Sequence, residues 1–342
     1  MKLKRFPLAA AVAALLLSTA CTAARSEAGL ADGPAAAGYP VTITNCGKEY
    51  RYSRTPSRVV VMNGGSVAEV SALLELGVAD RIVANAQSYG ASEVAGRVDA
   101  IKRLPTGNIA LNDMSDIPRE AMIGLTPDLV ISAYDGGFRA EAGFATRDDL
   151  AAVGADTYAP KSSCGAVGTV TGTPSIEDSY ALLRDLGAIF GVPERAERII
   201  ADSKAHIAGF GAKTANLPKQ KVMVITPGMA MGGEFSSVGG NGIWNDILAK
   251  AGAVNAFAGA TDQMFANLSR EQVASADVDA LLVVNYMSKD PDADARKLLA
   301  QFPQWDAAKN NRYVVLSDSI YLGPSNHLAV EKIARAVHPE AF

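Results

Sequence analysis

Short unbroken apolar runs alternate along this chain with stretches in which apolar residues recur every three or four positions. The runs are Arg58–Met62 (RVVVM), Arg81–Ala84, Asp128–Ala133 (DLVISA), Asp156–Ala159, Lys221–Thr226, Ala280–Asn285 (ALLVVN) and Arg312–Leu316. Runs this short with no polar alternation suit strands covered on both faces. Val41–Ile43 alternates instead and reads as an opening strand. Helical stretches lie between the runs. Ser66 and Glu69 have capping-box spacing and start a helix through Leu73, Leu74 and Leu76 to Gly77; Ser269 and Gln272 repeat the device. Further helices are predicted at Glu120–Leu125, up to Gly154, at Ile176–Phe190, at Ile243–Gly252 and at Leu328–Val337, with a Gly- and Met-rich loop at Gly228–Gly240. From Pro193, a residue tolerated at a helix start, no breaker intervenes until Gly209 and Gly211. That segment predicts one long helix of about 30 Å. Strand–helix alternation before and after it predicts an α/β fold: two Rossmann-like lobes with parallel sheets joined by one long backbone helix. The N-terminal lobe is expected at 41–175, the linker region with its helix at 176–216, and the C-terminal lobe at 217–342.

A length of 342 residues fits this two-lobed reading. The N-terminus adds a location. Lys2, Lys4 and Arg5 precede the apolar stretch Leu8–Leu17, which is too short to span a membrane, and then Ser18, Thr19, Ala20 and Cys21. This predicts a secretory signal over 1–20. Cys21 after small residues suits lipidation, although the position three before it is Ser18 rather than Leu, and ordinary signal-peptidase cleavage is the alternative. Residues 21–40, rich in Ala, Gly, Ser and Pro, read as a lipid anchor and flexible tether. Export makes the cysteines informative. Of three, Cys46 and Cys164 remain for an oxidising compartment, where a bridge is favoured over two buried free thiols. Such a bridge would contribute about 4–5 kcal/mol by chain entropy.

Charge and chemistry narrow the function. The formal net charge is −4 with no basic cluster, which argues against nucleic acid. Gly64-Gly65-Ser66-Val67-Ala68 lacks the last glycine of a nucleophile elbow, no H-E-x-x-H occurs, and Asp148-Asp149 reads as a solvated face. An exported hydrolase is therefore the rival reading, and the chain is expected not to be an enzyme. Three scattered histidines, His206, His327 and His338, do not suit metal capture.

The pieces TPSRVVVM, AEVSALLELGVADRIVA, IPREAMIGLTPDLVIS, SIEDSYALLRDLGAIFGVPERAERII, GIWNDILAKAGAVNAF, LSREQVASADVDALLVV and WDAAKNNRYVVLS, in this order, resemble the helical-backbone (class III) family of solute-binding proteins serving ABC importers of ferric siderophores, haem and cobalamin. The NCG around Cys46 and SCG around Cys164 resemble an actinobacterial lipoprotein variant, which implies that the two cysteines are bridged. The resemblance further implies a monomer held at the outer face of the cytoplasmic membrane, with ligand in the cleft between lobes. Glu120 and Glu271 match the family's two carboxylates that dock into Arg pockets of the permease dimer; each is otherwise a solvated helix-start glutamate. Candidate ligand contacts are Asn63, Gly64, Tyr89, Tyr134 and Arg139 on the first lobe, and Met229, Phe235, Phe265, Tyr286 and Tyr321 on the second. Aromatic and Met surface suits a large ligand, and Arg139 could neutralise an anionic complex. A ferric siderophore leads as ligand, with no resident cofactor or metal; cobalamin and haem follow, the latter short of an axial His.

Overall fold

The apolar runs form two four-stranded parallel sheets, each roofed by helices. The computed structural model describes residues 38–109, 116–165, 172–227, 234–286 and 288–342. The signal expected at 1–20 and residues 21–37 of the tether expected at 21–40, Cys21 among them, and the candidate contact Met229 lie outside the described residues. The described chain opens with an antiparallel hairpin, β1 (Val41–Asn45) and β2 (Lys48–Tyr52). Asn45 pairs with Lys48, so Cys46 and Gly47 form a two-residue turn, both with positive φ (47° and 78°). This is the primed geometry whose twist matches that of the flanking strands, and Gly47 adopts it without a Cβ penalty.

The first lobe runs β3 (Val59–Val61), α1 (Val67–Leu76), β4 (Ile82–Asn85), α2 (Arg97–Lys102), α3 (Arg119–Gly124), β5 (Leu129–Ile131), α4 (Arg147–Ala152) and β6 (Asp156–Tyr158). Its sheet order is β4-β3-β5-β6, all parallel. β3 and β5 are buried along their whole length, as the unbroken Val and Leu/Ile runs require. The hairpin lies against β6. Asn45 donates to the Ala159 carbonyl at 2.7 Å and accepts from its N–H at 3.1 Å, and Tyr50 shares a 2.6 Å hydrogen bond with Thr157. Cys46 is bridged to Cys164, tying the hairpin turn to the loop after β6.

α5 (Ile176–Ile189) and α6 (Pro193–Thr214) lead to the second lobe. α6 has 22 residues, about 33 Å at the α-helical rise. Ala196, Ile200, Ser203, Ile207 and Thr214 form its buried stripe, which packs on α5 and on the last helix of the chain. The second lobe comprises β7 (Gln220–Ile225), β8 (Phe235–Val238), α7 (Ile243–Lys250), β9 (Ala253–Asn255), β10 (Phe265–Leu268), α8 (Arg270–Ser275), β11 (Ala280–Val284), α9 (Pro291–Gln301), α10 (Asp306–Lys309), β12 (Tyr313–Leu316) and α11 (Asn326–Val337). Its parallel sheet has the order β12-β11-β7-β9, and β8 and β10 pair as a separate antiparallel ribbon. The α/β class with a long joining helix is thus as predicted.

Two local expectations need correction. The Gly228–Gly240 segment is not loop throughout, because β8 occupies Phe235–Val238. The capping box expected at Ser66 does not form: its hydroxyl donates to Asn63 Oδ1 at 3.3 Å, and Glu69 is buried instead of reaching back to the Ser66 N–H. The equivalent box at Ser269 and Gln272 does form, with bonds of 2.8 and 3.3 Å.

Candidate functional site

In open parallel sheets the loops after the strands' C-terminal ends build the binding crevice. Here those loops meet across the two lobes around a cavity of about 520 Å³. Gly65 and Glu69 come from the β3–α1 junction, Tyr134 from the loop after β5, and Ser162 and Ser163 from the loop after β6. Opposite them stand Trp244 at the start of α7, Met264 and Phe265 at the start of β10, Tyr286 after β11 and Tyr321 after β12. A smaller cavity of about 260 Å³ shares Tyr286 and is bounded by Gly64, Ser88, Tyr89 and Asn285.

Aromatic contacts shape this wall. Tyr89 stacks on Tyr286 (centroids 5.9 Å apart) and meets Tyr321 edge-on at 5.7 Å. The Tyr89 hydroxyl donates to the Asn285 carbonyl at 2.5 Å, a bond from the first lobe to the second. Burial, first, and then a neighbouring tyrosine (Tyr321 for Tyr89, Tyr286 for Tyr321) raise the pKa of both hydroxyls, keeping them protonated. Trp244 packs on Phe265 at 5.7 Å. Gly242 permits that placement, since a Cβ there would lie 2.3 Å from the indole. The Tyr134 hydroxyl donates to Asp116 at 2.6 Å.

Among the described residues, Glu69 supplies the carboxyl of this wall, 2% exposed. Its Oε2 has no hydrogen-bond partner, and neither has the indole N–H of Trp244. Burial pushes the Glu69 carboxyl up to about 7, its own backbone N–H offsetting little of that. Another cavity, of about 560 Å³, lies between α5, α6 and α7, and four of its charged side chains are paired with one another: Lys204 with Glu177 at 3.0 Å and Lys250 with Asp246 at 3.7 Å. The cavity between the lobes, with unpartnered buried polar groups and clustered aromatics, is the stronger binding candidate.

Of the residues singled out in the sequence, Tyr134, Phe265, Tyr286 and Tyr321 line the main cavity, while Gly64 and Tyr89 line the smaller one. The others lie elsewhere. Asn63 is buried beneath the wall, its carbonyl accepting from Ser132 Oγ at 2.8 Å and from Ala133 N–H at 2.7 Å. Arg139 is exposed and donates to the Gly136 carbonyl at 3.3 Å. Phe235 packs against Phe302 and beneath Arg270 on the outer side of the second lobe. Glu120 and Glu271 are exposed in the first turns of α3 and α8, each a helix that leads into a sheet strand. Hydrogen bonds from the α8 start and from Ser269 hold the Glu271 carboxyl below the usual range. Sequence reasoning missed Glu69 and Trp244 as wall residues. Glu69 was assigned to a cap; the glycines before Trp244 were the available signal.

A polar latch also joins the lobes. Glu93, after β4, accepts from the N–H groups of Ser317 (2.5 Å) and Ser319 (3.0 Å) after β12. Asp318 accepts from Ser92 Oγ at 2.8 Å and from Glu93 N–H at 3.1 Å, and Arg97 reaches Asp318 at 3.4 Å and Ser325 at 2.9 Å. The Asp318 carboxyl is raised by burial, against the pull of Ser92. Of the histidines, His206 pairs with Glu331 at 2.9 Å, His327 lies edge-on to His206, and His338 is buried beside the Gly252 carbonyl. Among the described residues, no three His, Cys, Asp or Glu side chains converge to hold a metal ion, and no helix is long and apolar enough to cross a membrane.

The family follows from residues 59–320, which match the family model described as periplasmic binding protein. The chain belongs to the periplasmic binding protein family. No curated protein sequence matches it. Among solved structures, this binding protein is similar to a periplasmic binding protein of Veillonella parvula (22% identity, 87% of this chain and 97% of that one, TM-score 0.71). It is also similar to a protein of Saccharomonospora viridis described as an ABC-type Fe3+-hydroxamate transport system (25% identity, 87% and 99% coverage, TM-score 0.69). A periplasmic heme-binding protein of Roseiflexus sp. RS-1 aligns at 23% identity over 84% and 99%, with a TM-score of 0.58. Membership implies an extracytoplasmic location and a substrate-binding role.

Proposed function

We propose that this binding protein captures a ferric siderophore between its lobes and delivers it to an ABC permease dimer. The observation that carries the reading is the cavity of about 520 Å³ walled by Tyr134, Trp244, Phe265, Tyr286 and Tyr321 from both lobes. Its size and aromatic lining suit a compact ligand with a large apolar surface. The likeness to the Saccharomonospora viridis protein supports an iron–hydroxamate class of cargo. Haem is disfavoured because, among the described residues, no Lys, Arg or His lines the cavity to meet its carboxylates. Glu120 and Glu271 are the docking carboxylates in this reading, one per lobe, and Cys21 carries the lipid that holds the protein at the outer face of the cytoplasmic membrane. The first test is quenching of intrinsic fluorescence during titration of the full chain with ferric siderophores, cobalamin and hemin. Trp244 lines the cavity, whereas Trp305 is buried against Phe302. Saturable quenching by a ferric siderophore that is lost in Trp244→Phe, with binding retained in a thermal-shift assay, supports the reading. No response to any ferric siderophore overturns it.

A further inference from the structure

We propose that Glu69 receives an ammonium or comparable cationic N–H donor of the ligand, so that the cavity selects ferric complexes that are neutral or positive and carry an amine. This rests on the ferric-siderophore reading above and adds the charge class and the residue that reads it.

Glu69 is 2% exposed, lines the cavity and leaves Oε2 without a partner. A buried carboxyl with an unused oxygen costs free energy unless a ligand meets it. Among the described residues no cation does so. No Lys, Arg or His lines the cavity among the described residues. Lys161, between wall residues Pro160 and Ser162, is turned to Asp185 at 3.4 Å, and Arg139 is exposed and bonded to the Gly136 carbonyl. The stretches 110–115, 166–171 and 228–233 and position 287 contain no Lys, Arg or His in the sequence. Tyr134, Trp244, Tyr286 and Tyr321 stand in the same wall. Aromatic faces beside one buried carboxyl are the composition that binds an alkylammonium, through cation–π attraction and a charge-assisted hydrogen bond.

The consequence for cargo is a matter of charge. Three hydroxamates each lose one proton and leave their ferric complex neutral, and an amine tail makes it positive. Three catecholates leave a triply anionic complex, which would enter a cavity offering it a carboxyl and no cation.

The test compares ferrioxamine B, a ferric trishydroxamate with a terminal ammonium, with its N-acetyl derivative, which differs only in that charge. Binding to the full chain is measured by fluorescence quenching and calorimetry. A parallel pair, 4-phenylbutylamine and its N-acetyl derivative, probes the carboxyl without iron. We expect the wild type to prefer ferrioxamine B by about ten- to a hundredfold. In Glu69→Gln, which matches the protonated side chain in shape, the preference should fall to within about threefold while the acetylated complex binds as before. Equal affinities in the wild type, or a preference that survives in Glu69→Gln, overturn the assignment without any need for the variant to be perturbed. If neither iron complex binds but the amine is preferred over its amide in a Glu69-dependent way, the Glu69 assignment stands and the siderophore reading falls. Absence of preference in both pairs overturns the Glu69 assignment.

Discussion

Glu69 shows how a single buried carboxyl sets a pH dependence. Its folded value of about 7 exceeds the ordinary carboxylate value of 4.5 because burial disfavours the charge. The folded state therefore holds a proton that the unfolded chain releases between those two values. Below pH 4.5 both states are protonated and the residue imposes no penalty. As pH rises to 7 stability is lost, and above 7 the full penalty of about 3 kcal/mol persists. Glu69→Gln removes the titration. The variant should melt at nearly the wild-type temperature at pH 4 and several degrees higher at pH 8, the gap opening between pH 4.5 and 7. Tyr158 is the titratable neighbour that feels Glu69, and its hydroxyl, raised by burial, stays neutral throughout that window. Parallel melting curves across pH would show that Glu69 does not titrate there.

Among the elements, the β1–β2 hairpin is where stability and site meet. The bridge from Cys46 fixes Cys164, and Ser162, Ser163 and Gly165 beside it line the cavity. Replacing both cysteines by serine should cost about 2–5 kcal/mol in denaturant unfolding, since the closed loop spans 118 residues. Ligand binding should weaken by about three- to tenfold as that wall segment must then be ordered on binding. An unchanged affinity would mean that Asn45 and Tyr50 alone hold the wall. Glu120 and Glu271, in the first turns of α3 and α8, carry a different prediction: under the proposed docking role, Glu120→Ala with Glu271→Ala should leave ligand affinity unchanged and abolish most uptake by cells that depend on this protein, because Arg–carboxylate pairing with the permease would be lost. Normal uptake by the double variant would remove both from the docking surface. What could be read in advance follows from the same local physics. Val59–Val61, Leu129–Ile131 and Ala280–Val284 carry their burial in composition, and Pro193 marks the long helix. β9, β10 and the Phe235 strand are three or four residues long with mixed polarity, so their pairing is decided by partners distant in sequence. Glu69 has the spacing of a cap; its burial comes from tertiary packing around the cavity, which no local pattern encodes.

At the scale of the whole molecule, the lobes are joined by more than α6. The Glu93–Asp318–Arg97 latch is buried, each side chain 3% exposed, and it binds the segment after β4 to the segment after β12. A helix of this length resists bending and the latch resists separation, so the cavity is held largely preformed. Glu93→Ala would strip the acceptors from the Ser317 and Ser319 N–H groups, each orphaned donor costing about 1–3 kcal/mol. The loss falls on the junction between the lobes and not on either sheet. Hydrogen exchange should therefore accelerate at Ser317, Ser319 and Tyr286 while β7 and β11 keep wild-type protection. Ligand should bind more weakly, because the freed lobes must be re-ordered around it, and saturating ligand should restore part of the lost protection. If exchange at Ser317 and Ser319 stays slow in Glu93→Ala, α6 and the aromatic contacts of Tyr89 are sufficient to hold the lobes. If exchange rises throughout both sheets, the latch belongs to the folding core of the protein and does not act as a tie between two independently stable lobes.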